Sequence, residues 1–132
     1  MSPALREQVI RRAAGRCEYC RMLAEYDAGV FCIDHVIAKK HHGPTTIANL
    51  AFSCYWCNAY KGDNLSGFDP IGGAVIRLYN PRSDDWTVHF EWQGPRLIAL
   101  TDIGRVTIDV LYMNAPIRVE LRSTLIQEGI AF

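Results

Sequence analysis

The chain has 132 residues, about the length of one domain, and its 49% hydrophobic and 21% charged residues are typical of a globular protein. The formal net charge is zero, which excludes a protein coated in positive charge, so any nucleic-acid contact must come from local clusters of basic residues. No apolar run approaches the roughly 20 residues of a membrane span, and the charged start of the chain is unlike a secretory signal, so we expect a cytoplasmic protein with no membrane partner.

The first half of the sequence predicts a helix, two short strands and a second, brief helix. Ser2 and Pro3 suit a helix start, and apolar residues then repeat at helical spacing as far as residue 15. The β-branched run VFCIDHVI predicts a strand, NLAFSC predicts another, and AKKHHGPTT between them predicts a loop broken at Gly43 and Pro44. The run YWCNAYKG then predicts a brief helix that ends near Gly62.

The second half predicts two strands followed by two helices. Residues 63–74 are rich in glycine and predict a connection between the halves. In DDWTVHFEWQG the aromatic and apolar residues alternate as on a half-buried strand, which places His89 on the outward face. The run RLIAL would be the antiparallel partner of this strand, and helices are expected after Thr101 and Pro116.

Two pairs of cysteines have the Cys-x-x-Cys spacing. The pairs are Cys17 with Cys20 and Cys54 with Cys57, a spacing typical of zinc knuckles that bind one zinc ion through four thiolates. A redox pair would need a helix start in a thioredoxin-like βαβ unit, which is missing, and the second pair would be unexplained. Another metal or cluster is the remaining alternative. We expect the side chain of the unpaired Cys32 to be buried and to pack as a small hydrophobic group.

Several residues between and beside these pairs resemble the motif of the HNH endonuclease family. They are Asp34-His35, Asn49-Leu50, and Cys54-x-x-Cys57-Asn58 followed by Lys61-Gly62. The pattern is similar to the zinc-knuckle version of the motif, in which the third position is Asn, and the resemblance covers residues 17–62. It implies an α+β fold with a small ββα-metal core and a four-cysteine structural zinc site in residues 1–62. A small α+β extension, residues 63–132, would pack on the same domain.

The resemblance implies a metal-dependent DNA endonuclease that leaves a 5′-phosphate and a 3′-hydroxyl. His35 is the expected general base, because an imidazole with an unperturbed pKa of about 6.5 can take a proton from water. Asp34 alternates to the other side of the strand end and, with the amide oxygen of Asn58, would bind one Mg²⁺ or Mn²⁺ ion. Asn49 is expected to bond to the loop backbone and hold the strand that carries His35.

Four residues are expected to contact the DNA backbone: Lys39, Lys40, His41 and Lys61. A second basic cluster, residues 11–16, is the other place where DNA could bind. The alternatives are a solvated loop at residues 39–42 and a solvated lysine at position 61. Many relatives have two glycines in this loop, whereas this chain has His42-Gly43-Pro44, so the shape of the loop is not implied by the resemblance.

Two other functions remain compatible with the sequence. A non-catalytic, zinc-stapled DNA-binding module would keep the four paired cysteines, but it has no need of Asp34, His35 and Asn58 together. A thiol oxidoreductase would titrate its thiols reversibly and hold no zinc tightly. The sequence does not decide whether two chains pair to cut both strands.

Overall fold

The computed structural model describes all 132 residues as a mixed α/β protein. Six strands form three separate two-stranded antiparallel sheets, and five helices pack around them. The residues of the predicted motif lie on the first sheet, on the loop between its two strands and on the second helix.

The first helix and the first sheet follow the sequence-based prediction. Helix α1 spans Pro3–Ala13 and begins where the Ser2 hydroxyl accepts a hydrogen bond from the backbone N–H of Leu5, at 3.1 Å. Strand β1 spans Cys32–His35 and pairs antiparallel with β2, Leu50–Ser53. Val9 on α1 is fully buried against β2, which fixes the helix across one face of the sheet.

Helix α2 spans Tyr55–Lys61 and follows β2 directly. Its N-cap is Cys54, whose sulfur accepts a hydrogen bond from the backbone N–H of Cys57 at 3.4 Å. The loop between β1 and β2 contains two single 3₁₀ turns, Lys39–His41 and Ile47–Asn49.

The predicted connection at residues 63–74 is wrong in part, because it contains a strand. Strand β3, Ser66–Phe68, pairs antiparallel with β4, Val75–Arg77. Gly72 and Gly73 have φ of +91° and +76°, the left-handed region that glycine adopts without strain, and they reverse the chain between the strands. A side chain at Gly67 would stand 2.5 Å from a methyl carbon of Val110. These glycines therefore allow a hairpin that packs closely on the helix that contains Val110.

The prediction of a strand from Trp86 onwards is also wrong for the first residues of that segment. Helix α3 covers Trp86–His89, and strand β5 covers only Phe90–Gln93. The Asp85 carboxylate accepts a hydrogen bond from the backbone N–H of Thr87 at 3.0 Å, which caps a helical turn in spite of the alternating pattern. His89 is consequently buried instead of facing outward, and its Nδ1 lies 2.7 Å from the Thr101 hydroxyl.

The remaining predicted elements are confirmed. Strand β6, Arg96–Ala99, pairs antiparallel with β5. Helix α4 spans Asp102–Val110 and is capped by Thr101, and helix α5 spans Pro116–Gln127. None of these helices is long and apolar enough to cross a membrane.

One hydrophobic core runs through both halves of the chain. The four paired cysteines of the first half belong to the same buried cluster as Trp86, Phe90, Leu111 and Leu125 of the second half. The predicted boundary after residue 62 falls between α2 and β3, and the core continues across it. The second half therefore packs directly around the cysteines.

Candidate catalytic cleft and cysteine cluster

The four paired cysteines converge on one point. The sulfur atoms of Cys17, Cys20, Cys54 and Cys57 all lie within 4.8 Å of one another, and all four residues are buried. The sulfurs of Cys20 and Cys54 are 3.7 Å apart and no disulfide is formed. Thiolates placed about 2.3 Å from a tetrahedral zinc stand about 3.8 Å from each other, so this cysteine cluster fits a metal ion.

This convergence favours a metal site over the redox alternative. Two pairs from distant segments meet at a single centre, whereas a redox couple needs only one pair. Cys32 lies outside the cluster and is partly exposed, not buried as predicted, with its sulfur 3.8 Å from the carbonyl of Val30.

Asp34, His35 and Asn58 line one cleft of about 320 Å³. Asp34 and His35 form the end of β1, and Asn58 lies on α2, so the sheet and the helix after the second cysteine pair bring them together. Lys39 and Asp63 are also among the residues that line this cleft.

His35 is partly exposed in the cleft and is held through one ring nitrogen. Its Nε2 lies 2.8 Å from the hydroxyl oxygen of Thr45, and its Nδ1 has no hydrogen-bond partner. Burial lowers the pKa of His35 below its ordinary value, and the positive charge of Lys39 lowers it further. These two effects therefore favour the neutral imidazole, the form that can accept a proton.

Asp34 is buried, and only one of its two carboxylate oxygens has polar partners within the protein. Its Oδ2 accepts a 2.6 Å hydrogen bond from the Tyr19 hydroxyl and lies 3.0 Å from the ammonium of Lys61. Its Oδ1 has no hydrogen-bond partner. Burial raises the pKa of Asp34, while Lys61 and the Tyr19 hydrogen bond act in the opposite direction by stabilising the carboxylate.

Lys61 does not lie on the surface as the predicted DNA contact requires. Its side chain is 2% exposed, and its ammonium donates a 3.1 Å hydrogen bond to the backbone carbonyl of His35 in addition to its ion pair with Asp34. The hydrophobic stem of the lysine crosses the interior between α2 and β1. The lysine thus belongs to the interior behind the cleft.

Asn49 is buried and joins the two sides of the loop between β1 and β2. Its Oδ1 accepts from the backbone N–H of Ile37 at 2.9 Å, and its Nδ2 donates to the carbonyls of Ile37 and Pro44 at 3.0 and 2.9 Å. The loop passes so close here that a side chain at Gly43 would stand 1.6 Å from the Ile37 carbonyl oxygen. The loop therefore needs its single glycine at this position.

The other predicted DNA contacts are on the surface. Lys39, Lys40 and His41 are exposed on one 3₁₀ turn at the rim of the cleft, and the His41 ring lies 3.1 Å from the carbonyl oxygen of Asp63. The arginines of the second basic cluster, residues 11–16, form hydrogen bonds or ion pairs within the protein. Arg12 donates to the carbonyls of Ile47 and Leu50, and Arg16 and Arg11 also have internal partners.

Sequence reasoning missed Tyr19 and Thr45 as neighbours of the predicted site. Tyr19 lies inside the first Cys-x-x-Cys pair, where any residue is compatible with the spacing, and Thr45 is one of several small polar residues in a loop. Only the fold brings them to Asp34 and His35.

Residues 17–64 match the family model of the HNH endonucleases. Comparison with curated proteins gave no match, and comparison with solved structures gave none either. The matched segment begins at the first cysteine of the cluster and contains β1, β2 and α2, of which β1 and α2 line the cleft. The match to the HNH endonuclease model thus covers about a third of the chain, and this third carries both the cysteine cluster and the cleft residues Asp34, His35 and Asn58.

Proposed function

We propose that the chain is a metal-dependent DNA endonuclease that hydrolyses phosphodiester bonds in the cleft. The single observation that carries the proposal is that Asp34, His35 and Asn58 line one cleft, although they come from two segments of the chain. In this proposal β1, β2 and α2 form a ββα-metal centre. Hydrolysis of a phosphodiester needs an activated water, a cation near the leaving oxygen and fixed geometry, and each requirement has a candidate here.

Asp34 and Asn58 would bind the catalytic cation. One carboxylate and one neutral amide oxygen suit Mg²⁺ or Mn²⁺, which prefer oxygen ligands and keep several waters. The unpaired Oδ1 of Asp34 supports this assignment, because an oxygen without a hydrogen bond is available as a ligand. When bound, the cation would stabilise negative charge on the phosphate and on the leaving oxygen.

His35 would act as the general base. Its Nδ1 is free to accept a proton from a water molecule, while Thr45 holds Nε2 and so fixes the orientation of the ring. The lowered pKa keeps the imidazole in the neutral form that a base requires. The water would attack phosphorus in line with the 3′-oxygen, which leaves a 3′-hydroxyl and a 5′-phosphate as the resemblance implies.

Lys61 and Tyr19 would keep Asp34 ionised and oriented. Both donors meet the same carboxylate oxygen, so the other oxygen is left for the cation. A buried carboxylate without such partners would take up a proton and become a poor metal ligand. We assign Lys61 this positioning role in place of a contact with DNA.

The four clustered cysteines would bind a structural Zn²⁺ ion that shapes the cleft from both sides. The first pair encloses Tyr19, which donates to Asp34. The second pair begins α2 and is followed at once by Asn58. The first pair would thus fix a residue that orients the cation ligand Asp34, and the second pair would fix the cation ligand Asn58.

DNA would approach the rim of the cleft that carries Lys39, Lys40 and His41. These side chains are exposed, and Lys39 itself lines the cleft, so all three are in reach of a phosphate backbone that enters it. Because the chain has no net charge, this local patch would supply most of the electrostatic attraction.

Incubation of the zinc-loaded protein with supercoiled plasmid tests the proposal directly. We expect nicked or linear product with Mg²⁺ or Mn²⁺, none with EDTA, and far slower cleavage with His35→Ala protein prepared in parallel. If the wild type binds DNA but never cuts it with any divalent metal, the non-catalytic DNA-binding module is the correct function.

A further inference from the structure

A buried arginine from the second half of the chain reaches the cysteine cluster. Arg118 lies on α5 and is 4% exposed. Its Nη2 donates to the sulfur of Cys57 at 3.0 Å and lies 3.8 Å from that of Cys54. No other charged side chain hydrogen-bonds a sulfur of the cluster, and Arg118 forms no ion pair with an Asp or Glu.

The other end of the same guanidinium is fixed to the backbone. Its Nη1 donates to the carbonyls of Leu111 and Tyr112 at 2.7 and 3.1 Å. These carbonyls belong to the turn between α4 and α5, where Tyr112 has a φ of +49°. The guanidinium therefore joins this turn to the second cysteine pair, and its planar set of donors serves both sides at once.

Electrostatics give this contact a specific role if the cluster holds zinc. Four thiolates and one Zn²⁺ carry a net charge of about −2, and burying such a charge is costly unless an opposite charge lies close by. Arginine remains protonated even in a protein interior, so its charge is permanent. Partners outside the ligand set that donate hydrogen bonds to ligands commonly change metal affinity by about 10–100-fold.

We propose that Arg118 functions as part of the zinc site. Its positive charge compensates the negative charge of the thiolates and slows the loss of the metal. The proposal rests on the assignment of the cysteine cluster as a zinc site. It gives the second half of the chain a function, because α5 would stabilise metal binding by residues of the HNH segment. The extension is then required for a durable zinc site and not only for packing.

The test measures the release of zinc from the full-length, zinc-loaded protein to a chromophoric chelator. Arg122 provides a matched control, because it is a buried arginine on the same helix that donates to the carbonyls of Pro95 and Met113 and to no sulfur. We expect Arg118→Met to release zinc about 10–100-fold faster than the wild type. Arg122→Met should release it more slowly than Arg118→Met when both are compared in their folded state.

Equal release rates from Arg118→Met and the wild type, or from the two methionine variants, would overturn the proposal. If Arg118→Met does not fold, the pair Arg118→Gln and Arg122→Gln decides, since both variants lose the charge and keep a polar side chain, and only the first loses a charged donor to sulfur. Faster release from Arg118→Gln than from Arg122→Gln supports the proposal, and equal rates overturn it. A wild-type protein that contains no zinc would instead refute the zinc site itself, and plasmid cleavage tests the nuclease function separately.

Discussion

The ammonium of Lys61 lies 3.0 Å from the carboxylate of Asp34, and both side chains are almost completely buried. The pair connects α2 to β1 directly behind the cleft, where Tyr19 completes the set of partners around the carboxylate. The cost in stability of removing one charge of this pair differs greatly from the cost of removing both. Removal of one partner leaves the other buried and uncompensated, whereas removal of both charges together is much less costly.

We therefore expect Lys61→Met to lower the free energy of unfolding by about 3–5 kcal/mol. The double variant Lys61→Met with Asp34→Asn should recover much of this loss, because neither charge is then left alone. Urea denaturation of the zinc-loaded proteins measures both values. Lys40→Met is the control, since this exposed lysine has no ion pair and should change stability by no more than about 0.5 kcal/mol. A Lys61→Met protein as stable as this control would contradict the expected cost.

The zinc site is tested by metal content and by one pair of substitutions. Elemental analysis should find about one zinc per chain, and Cys57→Ser should lose it and unfold the first half. The reason is that structural zinc contributes on the order of 10–16 kcal/mol in small peptides, comparable to the net stability of a domain. Cys32→Ser makes the same change outside the cluster and should keep both zinc and fold. A folded protein with free thiols and no zinc would refute the site.

Much of the site could be predicted from the sequence because its main residues lie at short, regular spacings. The Cys-x-x-Cys pairs and the segments around His35 and Asn58 are local patterns, and the structure brings them together. The partners Tyr19 and Thr45 could not be predicted in the same way. Their contacts depend on how distant segments pack, and neither hydropathy period nor spacing carries that information.

The errors in the second half have a similar physical origin. The alternation from Trp86 to Trp92 is typical of a strand, yet Asp85 caps a helical turn there, and the indole N–H of Trp86 donates to the carbonyl of Tyr19 at 2.8 Å. A cap and one long-range hydrogen bond thus outweighed the local pattern. In the first half, the burial of Lys61 likewise follows from a partner 27 positions earlier in the chain and not from its own surroundings in sequence.

The pKa of His35 should respond to the charge of Lys39. Burial and then Lys39 lower this pKa from its ordinary 6.5, because a nearby positive charge disfavours the imidazolium. Lys39→Gln should therefore raise it, and the acid limb of the pH–rate profile should move to higher pH, since only the neutral imidazole acts as a base. NMR titration of the zinc-loaded, magnesium-free protein measures the pKa directly. Lys40→Gln removes the same charge one residue further on and should have a smaller effect; an unchanged or lower pKa in Lys39→Gln would contradict the assignment.

Binding of DNA should depend on the rim of the cleft and on salt. Replacing Lys39 and Lys40 together by Ala should weaken binding and reduce the slope of log K against log salt by about 0.9 for each phosphate that the protein no longer neutralises. Fluorescence anisotropy at several salt concentrations, without a catalytic divalent metal, gives both quantities. Arg11→Ala is the control, because this arginine is exposed on α1 and pairs with Glu7. If the control weakens binding as much as the double variant does, DNA contacts α1 instead.

The roles proposed for the cleft residues separate an enzyme from a DNA-binding module. His35→Ala should lose about 10²–10⁴-fold in cleavage rate, the usual contribution of a positioned general base. Its DNA affinity should change little, because the imidazole would meet the attacking water and not the phosphate charge. Asp34→Ala and Asn58→Ala should fail by weakening Mg²⁺ binding, so that excess metal partly restores them but does not restore His35→Ala. Asn49→Ala should slow cleavage through the loop that it joins, with metal binding and zinc content retained.

Each of these proteins must keep its zinc and its fold, which elemental analysis and thermal unfolding establish before the rates are compared. Thr45→Val removes the partner of His35 Nε2 without touching the proposed base or the cation ligands. It should reduce the rate less than His35→Ala does, because the base remains but its ring is less well oriented. If wild type and His35→Ala cut plasmid at the same metal-dependent rate, His35 is not the base, and the cleavage arises at another site or from a contaminating nuclease.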